Sequence, residues 1–154
     1  MRFDFYFIGK TSESYLHEGI ENYARKLGHY MNSGIKIFPV SSDKTKSKAL
    51  QEESSKILKS ITPLDFVVVL DERGKQLSSV ELSKEIQKVL NRSCQRMVFI
   101  IGSAYGIGSD LSERADMILS FSKFTFTHQM IRLILMEQVY RAMTILKGES
   151  YHHD

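Results

Sequence analysis

Three short stretches of this sequence have residue types that suit a small-ligand site, because each follows an apolar run that ends abruptly. Asp71 follows the apolar run Phe66–Leu70, and a glycine-containing loop, Gly102–Gly108, follows a second run. A polar-aromatic loop, Ser122–Thr127, follows the run Met117–Phe121. Continuous apolar runs are typical of strands buried on both faces of a parallel sheet. Ligands of open α/β sheets bind beyond the carboxyl ends of such strands, so the three stretches predict one shared site.

The glycine loop matches neither of two common phosphate-binding motifs. It lacks the Gly-Lys-Ser/Thr ending of a Walker loop, and Gly102, Gly106 and Gly108 do not have the G-x-G-x-x-G spacing of a Rossmann loop. Two interpretations stay open. The glycines could permit a tight strand-to-helix turn with a positive φ, or they could let the backbone come close to a ligand such as a nucleoside.

The histidines do not form a convincing metal site, and no metal is expected. His152 and His153 are adjacent, so they would point apart in a regular element, and there is no H-x-x-x-H pattern or cysteine partner. His128 stands at the predicted start of the last helix, where a capping or structural role competes with a catalytic one. Spacing alone defines no Ser-His-Asp arrangement.

Strands alternate with helices along the whole sequence, which predicts an α/β fold with a mainly parallel sheet flanked by helices. Strands are predicted at residues 3–9, 35–40, 66–70, 97–101 and 117–121. Helices are predicted from Thr11 or Ser12 to Gly28, at 48–59, from the capping box of Ser78 and Glu81 to Leu90, at 109–115 and at 128–146.

Local signals add four details to this outline. Pro39 predicts that the second strand lies at the sheet edge or ends there. Gly28 is expected to end the first helix in a left-handed conformation. Asp71–Lys75 is expected to form the turn after the third strand. Ser41–Lys48, which contains three lysines, is interpreted as a solvated loop, with phosphate contact as the alternative.

Composition and charge indicate a single domain, residues 1–154, with an ordinary core. Apolar residues make up 42% and charged residues 25%, and the net charge of +3 permits an RNA partner without requiring one. The lone Cys94 excludes an intramolecular disulfide and suits a reducing compartment. No secretory signal or membrane span is expected, because charged residues interrupt the longest apolar segment. We therefore expect a cytoplasmic protein.

The C-terminal helix is apolar almost all the way round between Ile131 and Leu146. A helix on a protein surface normally shows one apolar stripe about 100° wide. We therefore expect this helix to be covered on two sides, with the second cover supplied by another subunit in a homodimer.

Together the motifs resemble the RlmH-type branch of the SPOUT methyltransferases over essentially the whole chain. The matching segments are F-Y-F-I-G-K, V-V-V-L-D-x-x-G-K-x-L-S-S, F-I-I-G-S-A-Y-G-I, L-S-F-S-K-F-T-F-T-H-Q-M-I-R-L-I-L-M-E-Q-V-Y-R-A and the closing G-E-S-Y-H-H. The family loop usually reads G-G-x-x-G, but Ser103 replaces its second glycine and is followed by Ala104 and Tyr105. Thr127 stands where the family often has proline.

The resemblance implies an enzyme that uses S-adenosylmethionine to methylate N3 of a pseudouridine in 23S ribosomal RNA. The modest net charge adds the expectation that the substrate is the assembled ribosome rather than bare RNA. It also implies a SPOUT-type fold with a C-terminal deep trefoil knot. By motif position the cofactor would be bound by Leu70, Gly102, Phe121, Ser122, Lys123, Phe124, Thr125 and Phe126. Two other functions stay open: a non-catalytic RNA- or ribosome-binding dimer of the same fold, and a tRNA methyltransferase of the same class.

Catalysis is expected to be a direct displacement at the sulfonium methyl, with positioning as the main contribution. The candidates for catalytic roles are His128, Arg132, Tyr151 and His152. The tail that carries Tyr151 and His152 is expected to close over the cofactor, and Arg132 or Arg141 to contact RNA phosphate or the developing uracil anion. Structural alternatives exist: the tail can be a frayed end, and Glu137 can pair with Arg141 four residues later.

Overall fold

The fold, seen in a computed structural model that describes residues 1–153, is built on one sheet of parallel strands. The strands are β1 (Arg2–Ile8), β2 (Ser33–Phe38), β3 (Asp65–Gln76), β4 (Arg96–Ile101) and β5 (Met117–Ser120). The helices are α1 (Ser14–Leu27), α2 (Lys46–Leu58), α3 (Ser79–Leu90), α4 (Ser109–Arg114) and α5 (Met130–Leu146). The strand order is β2-β1-β4-β3-β5, and every pairing is parallel. The predicted α/β class is confirmed.

Successive strand residues enter two different cores, one on each face of the sheet. In β1, Phe3, Phe5 and Phe7 enter the core covered by α1, α3 and α5, whereas Tyr6 and Ile8 enter the core covered by α2 and α4. This alternation follows from the two-residue period of a strand. Because both faces are covered, the strands need no polar face, which explains the continuous apolar runs in β3 and β4.

Both ends of α1 differ from the prediction. Glu13 occupies the position before the helix, and no side chain caps it, so neither Thr11 nor Ser12 is the cap. Gly28 has a φ of −56°, in the right-handed region, so the predicted left-handed stop is wrong. The helix is held instead by its apolar face, with Leu16 and Ile20 among its buried residues.

The predicted turn after the third strand is wrong, because β3 continues to Gln76. Leu70 and Lys75 are both in register with Leu119 of β5, so residues 71–74 loop out of the pairing before the strand resumes. A register shift of this kind is a bulge, and bulges commonly redirect side chains next to functional sites. Residues 71–73 are thereby placed at the end of the sheet where β5 finishes.

Other local predictions agree with the structure. β2 is an edge strand that ends at Phe38, directly before Pro39. At α3 the Ser78 hydroxyl accepts from the Glu81 backbone N–H at 3.1 Å, and the Glu81 carboxylate accepts from the Ser78 N–H at 2.7 Å. The predicted capping box is therefore confirmed. The loop predicted at 41–48 is shorter, because α2 begins at Lys46.

Helix α5 packs against two helices of its own chain, and each of its residues is buried or half-buried. Gln138 accepts a hydrogen bond of 2.6 Å from the Ser79 hydroxyl of α3, and Leu133 packs closely on Gly19 of α1. The sequence predicted that another subunit would cover the second side of α5. Helices α1 and α3 of the same chain supply part of that cover. Along residues 1–153, no helix is both long enough and apolar enough to cross a membrane.

Candidate active site

A cleft of about 990 Å³ lies at the carboxyl ends of β3, β4 and β5. Its walls are the bulge of β3, the glycine loop after β4 and the loop between β5 and α5. Ser12 and Glu13 before α1, and Lys46 and Leu50 of α2, complete the rim. The three stretches predicted to share one site therefore meet around a single cleft.

Most of the residues predicted to bind a cofactor line this cleft. The lining includes Leu70, Gly102, Phe121, Ser122, Phe124, Thr125 and Phe126. Lys123 is the exception, since its side chain is exposed and it does not line the cleft. The contacts of the lining residues with a cofactor stay a prediction, but the positions of these residues agree with it.

Hydrogen bonds within the loop from β5 to α5 hold it against the β3 bulge. The Ser122 hydroxyl accepts from the Phe124 N–H at 3.0 Å, and the Ser120 hydroxyl donates to the Ser122 carbonyl at 3.0 Å. Thr125 donates its hydroxyl to the Glu72 carboxylate at 3.1 Å. The loop is therefore ordered, although the Phe124 side chain is 79% exposed.

The glycines at the two ends of the turn are required by the turn itself. Gly106 has a φ of +94°, and its N–H donates to the Ser103 carbonyl at 2.9 Å. A Cβ added at Gly102 would stand 2.1 Å from the Gly106 carbonyl oxygen, closer than any side chain can tolerate. Of the two interpretations left open, the tight turn is observed, and it brings Gly102 to the cleft wall.

His128 lines the cleft and is half-buried. Burial, and after it the positive charge of Arg132, lowers the pKa of the His128 imidazole below its usual value. The ring is therefore neutral near pH 7 and able to accept a proton. His128 does not cap α5, because the Thr127 hydroxyl accepts from the Met130 N–H at 3.1 Å. The capping alternative for His128 is thus wrong.

Arg132 is fully buried and does not line the cleft. Its guanidinium donates to the carbonyls of Ile8 at 2.7 Å and Gly9 at 3.0 Å and to the Thr11 hydroxyl at 3.1 Å. Burial lowers its pKa to about 10, so it stays charged, and no carboxylate of residues 1–153 pairs with it. The expected contact with RNA phosphate is not available to so buried a side chain. Arg132 instead holds the β1–α1 loop.

The C-terminal tail folds onto α1 and α5 rather than over the cleft. The Tyr151 hydroxyl donates to Glu137 at 3.1 Å, and its ring packs edge-on against Tyr140 at 4.9 Å. His152 Nδ1 lies 3.4 Å from an Arg141 guanidinium nitrogen. Neither Tyr151 nor His152 lines the cleft, so the tail does not close over the cofactor site of its own chain. With these partners the tail is not a frayed end either.

The pairing considered for Glu137 and Arg141 is present. Arg141 Nε donates to Glu137 Oε1 at 3.0 Å, and the Arg141 guanidinium lies 4.7 Å from the centre of the Tyr151 ring. Burial, with hydrogen bonding to Tyr23 and the Glu137 charge, raises the pKa of Tyr151. Arg141 is half-buried, so one edge of this cluster still faces solvent.

Sequence reasoning missed several residues that complete the cleft. Tyr15 and Tyr105 line it with side chains that are 60% and 44% exposed, and Lys46 and Arg73 are also in its lining. Arg73 is tied to Asp71 by hydrogen bonds of 2.9 Å, which also lower the pKa of the Asp71 carboxyl. No sequence motif marks Tyr15 or Lys46, which lie at the starts of helices that the fold brings to this end of the sheet.

No metal-binding cluster accompanies the cleft. Within residues 1–153, nowhere do three or more His, Cys, Asp or Glu side chains come together as metal ligands would.

The chain is similar over nearly its whole length to proteins of one family. The family model described as "Predicted SPOUT methyltransferase" matches residues 1–152. A protein of Christiangramia forsetii named "Ribosomal RNA large subunit methyltransferase H" is 45% identical over 152 residues, which is 95% of each chain. A protein of the same name from Parabacteroides distasonis is 42% identical over 150 residues, which is 96% of each chain.

A solved structure supports the fold. A probable methylase family protein from Haemophilus influenzae has a TM-score of 0.57 and 14% identity, covering 99% of this chain and 70% of that one. At such low identity the likeness shows the fold alone. The family match and the relatives extend across every element that lines the cleft, from α1 to the start of α5. On these grounds the chain belongs to the SPOUT methyltransferase family.

Proposed function

We propose that this protein uses S-adenosylmethionine to methylate N3 of a pseudouridine in the 23S RNA of the large ribosomal subunit. The observation that carries the proposal is the cleft, because all its walls lie within residues 1–152, which match the SPOUT methyltransferase family. The relatives that share 45% and 42% of their residues with this chain are named as large-subunit methyltransferases. The cytoplasm, where ribosomes work, is the proposed location.

The cleft suits the cofactor in size and in chemistry. Its volume of about 990 Å³ is large for a protein of this length and near the upper end of ordinary ligand pockets. Backbone N–H and C=O groups at the strand ends can bond the adenosine, while Leu70, Phe121 and Phe126 offer apolar surface to its ring. Phe124, which is largely exposed, is placed to fold over the same ring.

The proposed reaction needs one base and accurate alignment. Bound S-adenosylmethionine would supply the methyl group from its sulfonium, N3 would be the acceptor, and S-adenosylhomocysteine would be the leaving group. Before or during this step the N3 proton must leave. His128 is the group we assign to take it, because it is neutral, half-buried and in the cleft wall. Arg132 acts through His128, since its charge helps to keep the imidazole unprotonated.

The rim of the cleft is suited to single-stranded RNA. Proteins recognise unpaired bases mainly by stacking them on aromatic side chains, and Tyr15 and Tyr105 are exposed aromatic residues at the rim. Lys46 also lines the cleft and can contact a phosphate group. A net charge of only +3 favours a large, shaped target over bare RNA, which supports the assembled ribosome as the substrate.

The proposal includes a homodimer formed through α5. Ile134 and Ile145 are apolar residues of α5 that remain half-buried, so apolar surface is still open to a second copy. Tyr151 and His152 lie away from the cleft of their own chain. They can take part in the RNA site only if a second subunit brings them to it.

A deep trefoil knot is also part of the proposal. Its support is the match of residues 1–152 to the SPOUT methyltransferase family. Optical-tweezer pulling from the two chain ends tests it. A tightened knot would leave the stretched chain shorter than about 3.6 Å per residue allows, whereas full extension would exclude the knot.

Mass spectrometry of ribosomal RNA from a strain that lacks this gene tests the substrate. The expected result is the loss of one methyl group from a modified pseudouridine of the large subunit, restored when the gene is returned. Unchanged ribosomal RNA together with a methyl group lost from tRNA would support the tRNA methyltransferase instead.

Calorimetry with S-adenosylmethionine tests the cofactor separately. Binding at micromolar to millimolar concentration is expected from a preformed cleft. Absence of binding at millimolar cofactor would favour a non-catalytic ribosome-binding dimer. Methylation assays on whole ribosomes, large subunits and isolated RNA would then identify the form of the substrate.

A further inference from the structure

Glu53 is a carboxylate enclosed in the protein without a cation beside it. It lies in the middle of α2 and is 1% exposed, and no Lys, Arg or His of residues 1–153 forms an ion pair with it. Burying a carboxylate is costly unless hydrogen bonds replace the water that it loses. Glu53 obtains these bonds from two separate loops. Its Oε1 accepts from the Ser41 N–H at 3.0 Å, and its Oε2 accepts from the Ser103 hydroxyl at 2.8 Å.

Ser103 is the residue on which the glycine loop turns. Its hydroxyl donates to Glu53 and also accepts from the Tyr105 N–H at 3.3 Å. Its carbonyl accepts from the Gly106 N–H at 2.9 Å. Gly102, the residue before it, forms part of the cleft wall. The position of Ser103 therefore fixes both the shape of the loop and the depth at which Gly102 stands.

Helix α2 holds the other end of the loop by packing. A Cβ added at Gly108 would stand 2.3 Å from the Ser54 hydroxyl oxygen. Consecutive residues of α2, Glu53 and Ser54, therefore contact the beginning and the end of the glycine loop. The loop is fixed by a helix that contributes Lys46 and Leu50 to the same cleft.

We propose that Glu53 and Ser103 form a positioning pair that sets the affinity of the glycine loop for the cofactor, an inference that rests on the proposed function. A SPOUT loop with glycine at position 103 has no side chain to bond, whereas Ser103 joins the loop to a buried carboxylate. The pair touches no reacting atom. Its effect is on cofactor binding, so its loss raises the KM and Kd for S-adenosylmethionine and leaves kcat within about twofold.

The variants Glu53→Gln and Ser103→Ala test the pair: Ser103→Ala removes the donor of the 2.8 Å bond, and Glu53→Gln leaves one acceptor oxygen for two donors, the Ser41 N–H and the Ser103 hydroxyl. Each is expected to weaken cofactor binding about tenfold, which corresponds to about 1.4 kcal/mol. The double variant is expected to weaken it no further, because the two residues act through one contact. Glu113→Gln is the matched control, since Glu113 is an exposed carboxylate of α4, the helix that follows the loop, and does not line the cleft. It is expected to leave cofactor binding unchanged.

Hydrogen exchange of the Tyr105 and Gly106 amides gives a readout that does not depend on turnover. Faster exchange is expected in Glu53→Gln and not in Glu113→Gln. If Glu53→Gln fails to fold, Ser103→Ala and Ser103→Gly carry the test, because their substitutions lie in a loop rather than in a helix.

The outcomes separate this inference from the proposed function. Folded Glu53→Gln and Ser103→Ala variants with the cofactor affinity of the unchanged protein would overturn the positioning pair and leave the methyltransferase intact. A fall in kcat at constant KM for the cofactor would overturn the pair as well. Failure of the unchanged protein to bind the cofactor would instead reject the proposed function, and the pair with it.

Discussion

The guanidinium of Arg132, near the start of α5, donates a hydrogen bond of 2.7 Å to the backbone carbonyl of Ile8, the last residue of β1. It also bonds the Gly9 carbonyl and the Thr11 hydroxyl, so one side chain fixes the loop that leads into α1. His128 stands one turn earlier in the chain, in the cleft wall. Arg132 therefore fixes the first loop of the protein, and its charge adds to burial in lowering the pKa of His128.

Replacing Arg132 by lysine should destabilise the protein although the charge is kept. A lysine ammonium cannot reproduce the planar fork that reaches three acceptors, and carbonyls left without a donor are costly when buried. The expected loss is about 2–4 kcal/mol of unfolding free energy, measured by urea denaturation. Arg141→Lys, at a half-buried pair, is the control and should cost less than about 1 kcal/mol. Unchanged stability in Arg132→Lys would contradict the loop-holding role.

The pKa of His128 should lie below its ordinary value of about 6.5 when measured by NMR titration. Because the folded-state pKa is lowered, the unfolded chain binds more protons between the two values, and stability should fall as the pH drops through that window. The rate of methylation should fall over the same range as the base becomes protonated. His128→Gln should lower kcat by about 10²-fold or more. His17→Gln, at an exposed residue outside the cleft, is the control, and equal rates for both variants would remove His128 as the base.

Tyr105→Ala should weaken RNA binding. Stacking of one base on an aromatic side chain contributes roughly 5- to 100-fold in affinity. Since the side chain is 44% exposed, the stability of the fold should change by less than about 0.5 kcal/mol. Leu64→Ala, at an exposed apolar residue that does not line the cleft, is the matched control. Equal KM values for the RNA substrate in the two variants would exclude the stacking role.

Asp65→Asn should lower stability by about 1–3 kcal/mol at neutral pH, because Arg96 would lose its charge-assisted bonds to Asp65 while keeping its ion pair with Asp4. Burial alone would raise the pKa of Asp65, but hydrogen bonds from Arg96 and from Thr62 outweigh it, so the pKa lies below the usual value. The stabilising contribution is therefore present above about pH 4 and is lost as the pH falls through the lowered pKa. When the free energy of unfolding is measured between pH 7 and pH 2, it should fall less steeply with decreasing pH in Asp65→Asn than in the unchanged protein. The exposed Glu113→Gln should behave like the unchanged protein, and an equally steep acid loss in Asp65→Asn would contradict this assignment.

The sequence predicted the strands that are buried on both faces and the edge of the sheet where they converge. It did not predict the bulge after Leu70, because Asp-Glu-Arg-Gly has the composition of a turn. Only pairing with Leu119 of β5 shows that the strand resumes at Lys75. The continuation of β3 therefore depends on its pairing with β5, which local composition does not reveal.

The sequence also could not predict how the side chains are oriented around α5. A helix that is apolar on most sides gives no polar face from which to infer where Arg132 points, and it points into the protein. The partners of Tyr151 come from α1 and α5, so its fixed position could not be read from a short polar tail. The buried Glu53 carries no sequence signal at all, since it stands in a polar helix beside an exposed glutamate.

The bond between Arg132 and Ile8 joins residues 124 positions apart. At about 5–20 residues per second, a translating ribosome adds that length in roughly 6–25 seconds. Through this interval the nascent β1 strand, whose phenylalanines belong to the core, has emerged without the helix that will cover it. The core on this face of the sheet can therefore be completed only after α5 has cleared the exit tunnel.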